Sequence, residues 1–246
     1  SGFQFLSKNY LLFIPIFSVK TYLSKMKSHK VLFEKTAHYF TLGEANKETK
    51  YFWLVTHGYG QLASRFIYKF DQLDLTENFI LAPEGLSRFY WKRSAPNPVG
   101  ASWMTKENRL DEIADYTRYI KKLYEEYKSQ MSADVKIIML GFSQGCATQM
   151  RWITREFPDF DHLILWAGLL PEDLDYTPHQ DYFSKKNLKW VYGNEDEFLK
   201  EKHITWHQQF MQEQSLDLES IEFAGKHVID RKILKEVFEK IKDSDT

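Results

Sequence analysis

The pentad Gly141-Phe142-Ser143-Gln144-Gly145 sets a hydroxyl between two glycines at G-x-S-x-G spacing. The apolar run Val135–Leu140 before it reads as a buried strand, and Cys146–Trp152 after it reads as the start of a helix. A strand-to-helix turn this sharp forces its central residue into strained backbone geometry. Residues two positions to either side must then lack side chains to avoid collision. The serine oxygen is thereby exposed at the C-terminal edge of the strand, beside a helix N-terminus that favours negative charge. The chemistry such a turn supports is nucleophilic acyl transfer through serine.

A serine hydroxyl is a poor nucleophile at neutral pH and needs a base, for which the chain offers 8 histidines. His227 follows the strand candidate Ser220–Phe223 after Ala224-Gly225-Lys226, so it falls on a loop at the same sheet edge as Ser143. His57 ends an early strand, a position expected to support loop geometry rather than to act as a base. His203 and His207 stand four apart on a helical pattern, but no glutamate lies between them as the zinc-protease motif requires, and a solvated helix face is the expectation. The base needs a carboxylate to hold its tautomer. Gly193-Asn194-Glu195-Asp196-Glu197 follows the strand candidate Leu188–Tyr192 and offers three acids at that edge. The chain order serine, acid, histidine is that of α/β-hydrolases.

The elements that must carry these residues are legible as alternating apolar and amphipathic runs. Val31–Thr36 and His38–Leu42 read as an antiparallel entry pair. Tyr51–Thr56, Asn78–Ala82, Val135–Leu140, His162–Trp166, Leu188–Tyr192 and Ser220–Phe223 read as buried strands. Helical periodicity runs over Leu110–Tyr127, Phe198–Leu216 and Val228–Ile241. The pattern predicts an α/β fold, a mostly parallel sheet flanked by helices. Pro83–Lys106, broken by Pro83, Pro96, Pro98, Gly85 and Gly100, reads as a long irregular segment of the functional kind. Its rings Phe89, Tyr90, Trp91 and Trp103 are expected to wall a cleft, with Tyr90 and Trp103 as substrate-binding candidates. Only Ala167–Asn187 lies between two strands where lids are commonly inserted, too little for a large lid domain.

With 246 residues the chain fits one domain, and a net charge of -1 gives no whole-protein reason to bind nucleic acid. Cys146 is the sole cysteine, so no internal disulfide forms and a cytoplasmic location is expected; its place after the elbow suits packing. Residues 1–25 read as an N-terminal extension to a domain over 26–246. Within it Tyr10–Phe17 is apolar but too short to span a membrane. No nucleotide, flavin or metal fingerprint occurs, so no cofactor and no metal are expected.

With these residues in place, the chain from about Tyr51 onward resembles the phospholipase/carboxylesterase family of α/β-hydrolases, which includes the acyl-protein thioesterases. Gly141-Phe-Ser-Gln-Gly145 is similar to that family's elbow, and Ala224-Gly-Lys-His227 to its histidine loop. Gly193-Asn-Glu-Asp196 is similar to its acid loop and selects Asp196 from the three acids. The resemblance of His57-Gly-Tyr-Gly60 to the family's oxyanion loop implies Tyr59 and Gln144 as the oxyanion-holding amides. Ser102-Trp103 resembles a tryptophan motif near the active site. Gln61 replaces an aspartate frequent in the family, and Ala82-Pro83-Glu84-Gly85 lacks a histidine often found there. The resemblance implies a serine hydrolase acting on small esters or thioesters through a Ser143–His227–Asp196 triad. A peptidase or other superfamily chemistry, and a non-catalytic binding member of the fold, are the alternatives.

Overall fold

The computed structural model describes residues 26–91 and 97–245. The expectations for Phe3–Lys25, and for Pro96, lie outside the described residues. The chain divides into two units, Ser1–Thr36 and Ala37–Thr246. In the first, residues 26–36 carry no helix or strand and Val31, Leu32 and Phe33 are exposed. Val31–Thr36 is therefore not the strand its residue types suggested.

In the second unit β1 (Tyr39–Leu42) pairs instead with β3 (Asn78–Pro83), antiparallel, Tyr39 opposite Pro83. The seven-stranded sheet runs β1-β3-β2-β6-β7-β8-β9. Its remaining members are β2 (Tyr51–Thr56), β6 (Lys136–Phe142), β7 (His162–Trp166), β8 (Asn187–Gly193) and β9 (Leu218–Phe223), all parallel to their neighbours. Every residue of β2 is buried, because alternate side chains enter opposite layers. Phe52 and Leu54 join Met139, Trp152 and Trp190 on one face, while Trp53 and Val55 join Leu140, Trp166 and Phe238 on the other. That two-sided burial explains the continuous apolar runs of the sequence.

Helices α1 (Ala63–Phe66), α2 (Arg109–Lys128), α3 (Gln144–Glu156), α4 (Gln180–Phe183), α5 (Glu201–Glu213) and α6 (Arg231–Ser244) complete the layers. Asp230 caps α6 by accepting from the Lys232 and Ile233 amides, so this helix begins three residues after the apolar pattern suggests. The segment read as irregular holds a hairpin, β4 (Ser87–Tyr90) against β5 (Val99–Ser102). Between β7 and β8 stand only short helical turns, and no lid domain is present there.

Sheet order reverses at β2: the chain passes from β2 outward to β3, then returns to place β6 on the other side of β2. Loops leaving neighbouring parallel strands in opposite directions open a crevice at their C-terminal ends. Thr56 lies opposite Gly141 in that pair, so the loop beginning at His57 and the turn at Ser143 emerge side by side.

Candidate active site

Ser143 has φ 53 and ψ -115, outside the regions open to ordinary L-residues. Two close approaches hold it there. A Cβ on Gly141 would lie 2.6 Å from the Cys146 backbone, and one on Gly145 would lie 2.1 Å from the Thr56 carbonyl oxygen. The Ser143 amide donates to the Trp166 carbonyl at 2.9 Å, tying the turn to β7. Cys146 is buried beneath it, its Sγ donating to the Gly141 carbonyl at 3.0 Å, and burial pushes the thiol pKa up. The thiol is packing, as expected.

At the ends of β8 and β9 the two remaining loops are laced together. The Asn194 amide donates to the Phe223 carbonyl at 2.9 Å and the Glu195 amide to the Gly225 carbonyl at 2.8 Å. Gly193 is needed there, since a Cβ would meet the Gly225 oxygen at 2.2 Å. Of the three acids, Glu195 and Glu197 are exposed and Asp196 is buried. Asp196 Oδ2 lies 2.7 Å from His227 Nδ1, while Oδ1 accepts from the Phe198 amide at 2.8 Å and the Leu199 amide at 3.1 Å. Those two amide bonds consume the residues that the helical pattern assigned to the start of α5, which begins instead at Glu201. The His227 ring packs on Phe142, the residue before Ser143, at 5.0 Å between centroids, and on Phe198 at 4.7 Å. The structure thus brings histidine and carboxylate into direct contact and sets the histidine ring against the elbow.

The loop after β2 is built by residues the motifs did not single out for that task. Gln61 accepts the Gly58 amide on Oε1 at 2.9 Å, closing the loop from within. Gly60, at φ +77, donates to the Ala101 carbonyl at 2.7 Å. The Trp91 indole lies over it and donates to its carbonyl at 3.1 Å; a Cβ on Gly60 would fall 1.7 Å from that ring. The Gln144 side chain crosses to the other wall, accepting from the Trp103 amide at 3.1 Å and donating to the Met104 carbonyl at 2.9 Å.

His57 is fully buried and uses both ring nitrogens: Nε2 accepts the Gly85 amide at 2.9 Å, which leaves the proton on Nδ1 for the Gly58 carbonyl at 2.8 Å. Burial lowers its pKa to about 4. It is a neutral strut between two loops. Glu84, just after β3, is also buried; it accepts the Ala63 amide at 3.0 Å and Arg88 Nε at 2.7 Å.

Two expectations need correction. Trp103 is 1% exposed and forms no open wall; its indole donates to the His57 carbonyl at 2.9 Å and its ring packs on His57 at 5.0 Å. It supports the loop from beneath. Tyr90 is exposed and alternates away from the loop, because strand period places Phe89, not Tyr90, on the face toward Tyr59. Phe89 stacks on Tyr59 at 5.1 Å and Trp91 meets it edge-on at 5.6 Å. Trp103→Ala should therefore lower unfolding free energy by about 3–5 kcal/mol, the range for truncating a buried large aromatic. Urea denaturation measures this, and a change below about 1 kcal/mol would contradict the buried role.

His207 also departs from expectation. It is buried against Trp190, and its Nε2 accepts the Leu170 amide at 3.0 Å, while His203 Nδ1 accepts the Lys200 amide at the start of α5. The two do different jobs, and among the described residues no three His, Cys, Asp or Glu side chains gather as a metal site. Burial lowers the His207 pKa from 6.5 to about 4. The folded state therefore prefers neutral His207, so its contribution to stability is full above about pH 6.5 and is lost as pH falls toward about 4. At about 1.4 kcal/mol per pH unit this amounts to roughly 3 kcal/mol. His207→Gln should flatten the loss of stability between about pH 6.5 and 4.5 in urea titrations. Parallel curves for variant and wild type would refute it.

A model of the family serine hydrolase (FSH1) matches residues 47–235, most of the chain and all the loops just described. The chain belongs to this family. A search of curated proteins returns no match. Among solved structures, this serine hydrolase is similar to Zea mays acyl-protein thioesterase 2, at 15% identity and TM-score 0.66, over 86% of this chain and 100% of that one. A phospholipase/carboxylesterase from Dyadobacter fermentans aligns at 18% identity and TM-score 0.55, over 85% and 97%. Arabidopsis thaliana SOBER1 aligns at 17% identity and TM-score 0.57, over 78% and 97%. The fold is the α/β-hydrolase fold, and among the described residues no large lid is inserted. No helix among the described residues is long and apolar enough to cross a membrane.

Proposed function

We propose that this serine hydrolase cleaves small carboxylic esters or thioesters by two-step acyl transfer. Ser143 is the nucleophile, His227 the base and Asp196 the acid. The observation that carries the reading is the 2.7 Å contact of His227 Nδ1 with a carboxylate already fixed by two backbone amides. With Nδ1–H donating to Asp196, Nε2 is left as the acceptor for the Ser143 proton as its oxygen attacks the acyl carbon. The Tyr59 and Gln144 amides receive the oxyanion, a donor in such a hole being worth about 2.7–4 kcal/mol. The tetrahedral adduct collapses as His227 returns the proton to the leaving oxygen or sulfur. Water then repeats the sequence on the acyl-enzyme with His227 as base. The buried, unpaired Cys146 fits a reducing, cytoplasmic setting.

A fluorophosphonate probe should label the wild-type protein on Ser143 and leave the Ser143→Ala protein unlabelled. Turnover of a p-nitrophenyl acyl series should exceed turnover of amino-acid amides, and matched thioesters rank the leaving groups. Labelling that survives Ser143→Ala would reject the nucleophile; faster amide cleavage would favour a peptidase.

A further inference from the structure

Beside the loop that carries Tyr59, a cavity of about 320 Å³ is lined by Gly60, Leu62, Phe66 and Trp91, with Arg65 and Lys69 in the same wall. Its floor is apolar and its charges are of one sign. Arg65 is exposed and Lys69 half-buried, and neither has a carboxylate partner among the described residues. The acids close by in sequence and space are committed elsewhere. Asp71 pairs with Arg231, and Glu84 is held by the Ala63 amide and Arg88. Both cations line the cavity without an acid beside them among the described residues, which gives it a positive potential suited to an anion. The guanidinium fork of Arg65 suits a planar carboxylate in particular.

The cavity also adjoins the reaction. Gly60 follows Tyr59 directly, and the Trp91 indole that lines the cavity is the ring bonded to the Gly60 carbonyl. The same short loop also touches the nucleophile, since a Cβ on Gly58 would lie 3.2 Å from the Ser143 Cβ, while Gly60 and Gln61 line the cavity. We propose that the cavity is a recognition subsite for a carboxylate-bearing end of the substrate. An apolar stem lies on Leu62, Phe66 and Trp91, and the carboxylate lies between Arg65 and Lys69. The inference rests on the serine-esterase reading for the catalysis, and on the cavity alone for the binding.

Two substrate pairs test which end is anionic. The acyl arm compares mono-p-nitrophenyl adipate with p-nitrophenyl hexanoate; the leaving-group arm compares 4-acetoxybenzoate with phenyl acetate. Taking the ratio of kcat/KM, anionic over neutral, in wild type and in the Arg65→Met/Lys69→Met protein cancels the intrinsic reactivity of each ester. In one arm the ratio should fall about tenfold in the double variant, and the difference should shrink in high salt because Arg65 is exposed. Equal ratios in both arms overturn the proposal. Binding is read separately by calorimetry on the Ser143→Ala protein, with 4-phenylbutyrate against its neutral amide. The acid should bind at least about fivefold more tightly, and the Arg65→Met/Lys69→Met changes should remove that preference. If wild type turns over no ester, the esterase reading fails by itself, and calorimetry still decides the cavity: no preference for the acid overturns it.

Discussion

Replacing Ser143 by alanine is expected to lower kcat by roughly 10,000- to 1,000,000-fold, the range seen when a serine nucleophile is removed from an intact oxyanion site. The same change should hardly alter stability. Alanine keeps the Cβ, and the strain at φ 53 and ψ -115 comes from that Cβ and the backbone, not from the hydroxyl. Glycine separates the two effects. Ser143→Gly removes the nucleophile equally, yet it should raise the unfolding free energy by about 1 kcal/mol over alanine, because glycine adopts this backbone freely. Burst kinetics with p-nitrophenyl esters and urea denaturation of the three proteins measure both. Equal stability of the alanine and glycine proteins would mean the turn is relaxed by movements elsewhere. Residual activity near wild type would remove Ser143 from the mechanism.

How far the sequence disclosed this arrangement depends on the range of each interaction. Strands buried on both faces announce themselves through continuous apolar runs, and β2 and β7 begin and end where those runs do. The elbow was legible because the turn itself bars a side chain at Gly141, which would meet the Cys146 backbone, even though the collision that bars one at Gly145 is with Thr56, 89 positions away. The start of α5 was not, because Asp196 captures the Phe198 and Leu199 amides and postpones the helix, which apolar periodicity cannot register. The β4–β5 hairpin was hidden by four-residue strands beside Pro96 and Pro98, where turn residues outweigh any alternation. Trp103 shows a further limit. The tryptophan motif located it near the site but said nothing of depth, and only the bond to the His57 carbonyl places it under the loop rather than along the cleft. The roles of Gln61 and Trp91 depend on where the loop folds back and on a partner 31 positions away, and neither leaves a mark in residue type alone.

The acid loop gives the second large effect. Asp196→Asn preserves shape, and the asparagine Oδ1 can still accept the Phe198 and Leu199 amides where Asp196 does, so the loop should stay folded. Those two bonds also dictate which way the new amide points. With Oδ1 held by backbone donors, Nδ2 must face His227 Nδ1, the partner now 2.7 Å from Oδ2. An N–H there needs Nδ1 as an acceptor, which moves the imidazole proton to Nε2, where it blocks uptake of the Ser143 proton. The expected loss in kcat is roughly 10,000-fold at neutral pH, with little change in melting temperature. Glu195→Gln and Glu197→Gln, on exposed side chains, should each change kcat by less than about threefold. Steady-state kinetics on one p-nitrophenyl ester across the three variants decides the matter. A severe Glu195→Gln with a mild Asp196→Asn would transfer the acid's role one residue upstream and break the assignment of the loop.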